Sequence, residues 1–516
     1  MTNEHDRILL YVKDFSGNNQ DRFLIYYRND LQELSARDIC TLEGPVITHD
    51  YWMIASSIFE IAGNLPDNVI DIVEFEHAIS GVKVDRESRE QWTLGRTFRE
   101  YLGDSNLDEY EDVYNQREPF SSQTYAHAAA EIKKIWLALI EKSTRLGELQ
   151  RYLQIEAPCF NYLWKCLVKG IRIDNDVLKA HKASIQDQYY LSLKAFCLEF
   201  NLPIQYPSEK AIRQYLIEDG FDAEHESLDY ILELLPTNND YGKKLLSLRN
   251  IFRSKSVLLD IPSSSRRVKP IVDVAGTVTS RIMLRNPALQ NLASKYRNII
   301  IPDDNMKIAY VDFSQFEVGI MAVLSGDAYM RQLFDEGDLY NTASTQIFGN
   351  ADYRKVAKRL FLSYSYGMSL KRLADAASAN RADRRRATSF FKQFTTFETW
   401  REILASTYLA TGRISTSFGN HAERLNQGEL SSKERRSCVS QVVQGTASLI
   451  FKKALLGLSN APEIQLLIPM HDAVVFQCKM DKDVTKVQKI MEDAFADHFN
   501  GSIHCKTTAG SFAREH

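Results

Sequence analysis

The sequence predicts a multidomain chain of mixed α/β and α+β class, and three observations predict it. Short apolar runs rich in β-branched residues alternate with helical patterns before Gly81, long amphipathic helical patterns dominate from Tyr125, and apolar strands ending near single carboxylates return at Asp312 and Asp472. At 516 residues the chain is too long for one core, so about two to four domains are expected.

Composition narrows the class. A hydrophobic content of 44% and a charged content of 25% belong to a globular chain with ample buried volume. No run of eighteen apolar residues occurs, and the start MTNEHDRILLYV lacks the basic-then-apolar order of a signal peptide. No membrane partner is therefore expected, and the expected compartment is the cytoplasm, that of a host should the chain be viral. Seven cysteines without a Cys-x-x-Cys pair point to reduced thiols and away from a disulfide framework or a zinc site. The net charge of −4 does not attract nucleic acid, but Ala351 to Lys392 holds eleven Lys/Arg against three Asp. A solvated helical face has the same signature.

Taken in order, residues 7–12 (RILLYV) and 22–27 (RFLIYY) read as strands, Pro45 to Thr48 as a third, and helical patterns begin at Tyr51 and Glu74. Gly103 to Gln123 is acidic and polar and reads as a loop. Helices are expected over Ala126 to Arg151, Ala157 to Lys169 and Asp174 to Asn201, the last two parted by the Gly170 to Asp174 element. Ser208 is placed to cap a short helix. Asn250 to Ser256 closes this segment with Arg253 and Lys255. A helical arm with basic residues near its tip can grip phosphates without reading bases, and a plain bundle with exposed lysines would look alike.

The stretch Lys307 to Asp327 opens as a strand, reaches Asp312, and continues from Ser314 with Phe316, Ile320, Met321, Val323 and Leu324 at helical spacing. An Asp there is commonly an N-cap. It can also hold a hard divalent cation, with Glu317 one turn on lining the same cleft. In Tyr353 to Met368, Arg354, Lys358 and Leu362 recur every four residues and share one helical face, with Tyr366 and Gly367 at its end. Two cations one turn apart make a clamp for a polyphosphate. Gln465 to Cys478 reads as a hairpin with His471-Asp472 at or near its tip.

These blocks resemble, in order and spacing over about Glu156 to Phe512, the motifs of the family A (polymerase I-like) DNA polymerases. From Asp312 the chain reads D-F-S-Q-F-E-V-G, similar to the family's D-Y-S-Q-I-E-L-R. Gly170 to Asp174 resembles the G-V-R-L-D that begins the thumb. Val274 to Leu292 resembles T-A-T-G-R-L-S-S-S-D-P-N-L-Q-N-I, with Thr279-Ser280-Arg281 in the place of Thr-Gly-Arg and Asn286-Pro287-x-Leu289-Gln290-Asn291 repeating the second half. Arg354 to Gly367 is similar to the fingers helix R-x-x-x-K-x-x-x-F-x-x-x-Y-G. Gly412 to Gly419 and Arg436 to Ala447 continue the match with Gln444-Gly445-Thr446-Ala447, and His471-Asp472-Ala473 resembles V-H-D-E.

The resemblance implies a right-hand architecture of palm, fingers and thumb behind a ribonuclease H-like unit. The thumb would span 150–265, the palm 266–330 and 430–516, and the fingers 331–429. It implies template-directed addition of dNTPs to a primer 3′-hydroxyl by two-metal nucleotidyl transfer, with roles carried over residue by residue. Asp312, Asp472 and the backbone carbonyl of Phe313 would hold two Mg²⁺, with Mn²⁺ able to substitute. Lys358 would meet the triphosphate and donate a proton to the departing pyrophosphate. Gln315, Glu317, Tyr340, Arg354, Lys358, Leu362 and Tyr366 would surround the nucleotide, Glu317 excluding a 2′-hydroxyl. Lys255, Arg281, Gln290, Asn291, Arg436, Gln444 and His471 would face DNA, where amides and guanidinium groups can donate to the minor-groove acceptors of every correct pair. The implied partners are primer-template DNA and dNTPs, with the chain a monomer and no accessory protein assigned.

The sequence departs from the family at Gly319 (for Arg), Tyr340 (for the His of D-I-H), Leu362 (for a stacking aromatic), Ser440 and Ala473 (for Glu). These departures favour a rival, an impaired polymerase fold acting as a DNA-binding or scaffold protein; Asp312, Glu317, Arg354, Lys358 and Asp472 oppose it. Glu317 opposes a second rival, a single-subunit RNA polymerase. Residues 1–149 resemble the family's 3′–5′ exonuclease domain without its chemistry. Tyr11-Val12-Lys13-Asp14 contains no Asp-x-Glu, Ile54 and Ala129 take the places of two carboxylates, and Tyr125 is retained. No proofreading is expected. With no 5′-nuclease domain, a phage-like or accessory enzyme of replication or repair is the expected setting.

Overall fold

A computed structural model describes residues 6–14, 21–82, 93–218, 228, 232 and 240–513. Ile8 to Tyr11 are buried on both faces of their strand, which is why a continuous apolar run becomes a central strand. This strand, β1 (Arg7–Val12), pairs antiparallel with β2 (Arg22–Tyr27), which pairs with β3 (Asp30–Leu34). On its other side it runs parallel to β4 (Val46–Thr48), itself parallel to β5 (Val69–Asp71), giving the order β3-β2-β1-β4-β5. Neither β3 nor β5 is legible in the sequence: β3 is a polar edge strand with no buried residue, and β5 is only three residues long.

The stretch Gly103 to Gln123, expected as a loop, contains a helix at Asp108–Tyr114. One aromatic anchors this polar helix, because Tyr110 is buried and its hydroxyl meets His49 Nε2 at 2.6 Å. The following helix α1 (Ser122–Leu146) starts earlier than expected, on the Ser121 cap, and ends at Gly147 in the left-handed region (φ 73°). After a π-turn at Tyr152–Glu156 come α2 (Ala157–Leu167) and α3 (Asn175–Glu199), the latter capped by the Asp174 carboxylate. Ser208 caps its helix as expected, accepting the Ala211 N–H at 3.2 Å. Asn250 to Ser256 is not an end. It lies inside α4 (Asp240–Asp260), which continues because Leu245, Leu248, Ile251 and Leu258 keep one stripe buried against α3.

A second sheet positions the site. β6 (Lys307–Phe313), β7 (Gln465–Pro469), β8 (Ala473–Cys478) and β9 (Thr507–Gly510) form the order β7-β8-β6-β9, antiparallel throughout. In β6 the buried residues Ala309, Val311 and Phe313 alternate with Tyr310 and Asp312 on the more open face. Phe313 stacks on Phe316 at the start of α5 (Phe316–Ser325), with centroids 4.2 Å apart. Gly319, where the family carries Arg, has a packing reason: a Cβ there would sit 2.7 Å from the Phe334 ring and 3.1 Å from that of Phe495. Next come α6 (Leu339–Phe348) and α7 (Arg354–Ser365). Phe361 and Tyr364 of α7 bury themselves against Phe391, Phe394 and Phe397. The long helix α8 (Ser432–Leu458) runs against α5, and α9 (Asp481–His498) packs on α8. Among the described residues no helix is long and apolar enough to cross a membrane.

Candidate active site

Asp312 and Asp472 meet because β6 and β8 are neighbours. Asp312 pairs in register with Ala473, and the Phe313 N–H donates to the Asp472 carbonyl at 3.1 Å. Asp472 closes the turn between β7 and β8, as the hairpin reading expects. Burial and the neighbouring Asp472 push the Asp312 carboxyl up to about 7, and burial also raises that of Asp472. Like charges held together disfavour ionisation of both. Asp312 Oδ1 is buried without a hydrogen-bond partner, which is costly for a carboxylate unless something cationic completes it.

Facing the pair are the two cations of α7. Arg354 and Lys358 are exposed on one face, and the positive charge of Lys358 reaches both carboxylates, lowering each from what burial alone would impose. Arg354 donates to Asp338 at 2.6 Å, while Asp338 caps α6 by accepting the Tyr340 N–H at 3.0 Å. Both cations stand over the buried Tyr340 ring, 5.5 and 5.6 Å from its centroid. Tyr340 thus supplies a floor for the cations. Gln315, left-handed at φ 56°, spans to the same loop, donating to the Gly337 carbonyl at 2.5 Å and accepting the Leu339 N–H at 2.9 Å. These groups enclose a cleft of about 890 Å³, to which Ser314, His504 and Lys506 also contribute. Sequence reasoning passed over Asp338 and Lys506. Asp338 had a signal, as the Asp of the D-I-H element, whereas Lys506 sits on a polar approach to β9 with none.

Beside the carboxylates lies a second cluster. Glu317 accepts from Arg281 at 2.8 Å and from the Tyr366 hydroxyl, and Gln444 Nε2 approaches that hydroxyl at 3.4 Å. Burial and then Glu317 hold the Tyr366 phenol far above its ordinary value, so it stays a donor. Arg436 packs its stem against Gly367, where a Cβ would come within 3.0 Å. His471 lies beside Asp472, its imidazole lowered by loss of solvent and by the Arg281 guanidinium. Leu362 is half-buried on the α7 face between Lys358 and Tyr366.

Three of the residues expected to face DNA lie outside the carboxylate cleft. Gln290 is buried, its Oε1 accepting the Leu284 N–H at 3.1 Å and its Nε2 directed at Met283 Sδ, so it braces its own turn. Lys255 lies on aromatic rings, 4.1 Å from the Tyr189 centroid. Asn291 is exposed, but in a separate cavity of about 700 Å³ that Lys243, Asn250 and Arg253 line from α4. Helical phase keeps Lys255 off that cavity: Lys243, Asn250 and Arg253 share the face of α4 that Lys255 does not.

The family model for DNA polymerase family A matches residues 199–512. This chain belongs to DNA polymerase family A. It is 22% identical over 424 residues to DNA polymerase I of Rhizobium leguminosarum, an alignment covering 72% of this chain and 41% of that protein. It is 25% identical over 400 residues to the thermostable DNA polymerase I of Thermus filiformis, covering 68% and 47%. The chain therefore spans less than half the length of these relatives. Among solved structures, its fold is similar to the polymerase domain of Pol1 from M. smegmatis, in complex with DNA primer-template and dNTP. The TM-score is 0.73 at 18% identity, over 98% of this chain and 94% of that one. The right-hand fold expected from the sequence is thereby shown.

Proposed function

We propose that this chain is a template-directed DNA polymerase, adding dNTPs to a primer 3′-hydroxyl. The observation that carries the proposal is the juxtaposition of Asp312, near the end of β6, with Asp472, in the turn that leads into the neighbouring β8, within reach of the Lys358 charge on α7. The donor set suits a divalent metal, since Asp312 Oδ1 is buried and unpartnered and both carboxyls are raised. Among the described residues no group of three or more His, Cys, Asp and Glu is arranged to hold a metal. The remaining ligands would be the Phe313 carbonyl, water and substrate phosphate, the set that Mg²⁺ prefers. Two bound Mg²⁺, or Mn²⁺, would lower the pKa of the primer hydroxyl and neutralise charge on the leaving pyrophosphate. Arg354 binds the triphosphate, Lys358 protonates the departing oxygen, and Glu317 with Tyr366 fills the space beside the sugar. We assign 150–265 to the thumb, 266–330 and 430–516 to the palm, and 331–429 to the fingers. Extension of a primed template with Mg²⁺ and four dNTPs tests the proposal, and template binding without extension would favour the scaffold reading.

Glu317→Ala should raise rNTP use relative to dNTP use, measured as the ratio of kcat/KM values. Equal use of both by the wild type would remove the gate.

The same proposal includes no intrinsic proofreading. Ile54 and Ala129 are buried apolar residues, and the Tyr125 hydroxyl donates to the Tyr11 carbonyl at 3.3 Å. Nearby carboxylates are otherwise engaged. Asp21 accepts from Tyr11 and Ser57, each at 2.6 Å, and from the Asp14 N–H at 2.8 Å, while Asp71 accepts the Tyr51 N–H at 2.8 Å. A mismatched primer incubated with Mg²⁺ or Mn²⁺ but no dNTPs should stay full length; shortening that persists in Asp312→Ala would place a nuclease here.

A further inference from the structure

Arg281 reaches Glu317 from a turn with an unusual footing. Ser280 is left-handed at φ 56°, a conformation that L side chains rarely adopt. Beneath it lies a buried ionic network. Lys452 donates to the Ser280 carbonyl at 2.6 Å and to its hydroxyl at 2.8 Å, and pairs with Glu156. The Ser280 hydroxyl donates to Glu156 at 2.9 Å, and Ser448 donates to the Ser280 carbonyl. Glu156 also pairs with Arg151, which pairs with Glu148 and donates to the Ala78 carbonyl of the N-terminal unit at 2.7 Å. Glu148 in turn accepts the His421 N–H at 3.0 Å. Glu148, Arg151, Glu156, Ser280 and Lys452 are each no more than 5% exposed.

Buried charges of this kind are weak evidence for stability, since apolar residues often serve as well. Here the network converges on one backbone conformation. Both groups of Ser280 that could oppose the left-handed turn are tied down, and the next residue is Arg281, 2.8 Å from Glu317.

We propose that Lys452 and Glu156, by holding Ser280 left-handed, act as positioning residues that aim Arg281 at Glu317 and so sharpen selection of the nucleotide sugar. The proposal rests on the polymerase reading above. Ser280→Ala keeps a side chain at the strained position but removes its hydroxyl, whereas Ser280→Gly removes the strain as well. Ser280→Ala and Lys452→Met should each lower the dNTP-over-rNTP ratio of kcat/KM by about tenfold, as small misplacements at a reacting centre do, and Ser280→Gly should stay near wild type. A merely structural role would lower the melting temperature and leave the ratio unmoved. If Lys452→Met does not fold, the Ala and Gly pair decides. Ratios within about twofold of wild type in folded Ser280→Ala would overturn the proposal. Should the wild type extend no primer, the polymerase reading fails separately, and thermal unfolding still decides: Ser280→Ala and Glu317→Ala should be non-additive, and additivity would overturn the coupling.

Discussion

Asp312→Ala and Asp472→Ala should each reduce primer extension by roughly 10³-fold or more, with primer-template affinity nearly unchanged in a gel-shift or anisotropy titration. On the proposed function the two carboxylates would carry divalent charge, whereas duplex affinity would rest on phosphate contacts spread over other elements. Substantial extension by either variant would sink the assignment. The like charges also leave a mark on stability. In the folded, metal-free protein the Asp312 carboxyl lies at about 7, above its ordinary 3.8, so its unfavourable ionisation sets in as pH rises from near 4 through 7. Asp472→Asn removes the like charge beside Asp312, and should raise the melting temperature of the metal-free protein at pH 8 more than at pH 5, followed by calorimetry. Magnesium should narrow that difference, because it stabilises only the intact pair.

Lys358→Ala should lower kcat by about 10²- to 10³-fold with a smaller change in KM. Its ammonium acts on both carboxylates and stands over Tyr340, where the proposed reaction would develop charge on the leaving phosphate. Arg354→Ala should act chiefly on KM for dNTP, because Arg354 sits one turn earlier, steered by Asp338, and on the proposed function would meet charge already present in the bound triphosphate. Single-turnover extension over a dNTP series separates the two effects. Equal loss of kcat in both variants would remove the division of roles. Leu362→Phe is a smaller test on the same helix: it should lower KM by adding a stacking surface, and no change would point to Tyr366 as the ring already serving.

Much of the site was legible because its carriers follow local periodicity. Strand alternation places Asp312 at the open end of β6, a spacing of four places Arg354, Lys358 and Leu362 on one face of α7, and two apolar runs around a polar pair make a hairpin with Asp472 in its turn. Helix phase was legible only where the sequence marked the buried stripe. In α4 the stripe and the basic residues interleave, so Lys255 and Arg253 looked equivalent in sequence, yet Lys255 lies on Tyr189 while Arg253 lines a cavity.

The sequence by itself determined the chemistry: which carboxylates, cations and amides stand at strand ends and along helical faces, because backbone geometry repeats every two or 3.6 residues. Tertiary structure alone decided how those groups are used. It turned Gln290 inward, gave Gly319 its reason in the rings of Phe334 and Phe495, and made Asp338 the bridge between α6 and Arg354. It also joined Glu156 to Lys452 under Ser280 across 296 residues of chain. Such pairings depend on which surfaces meet when separate elements pack, and no spacing along the chain records that.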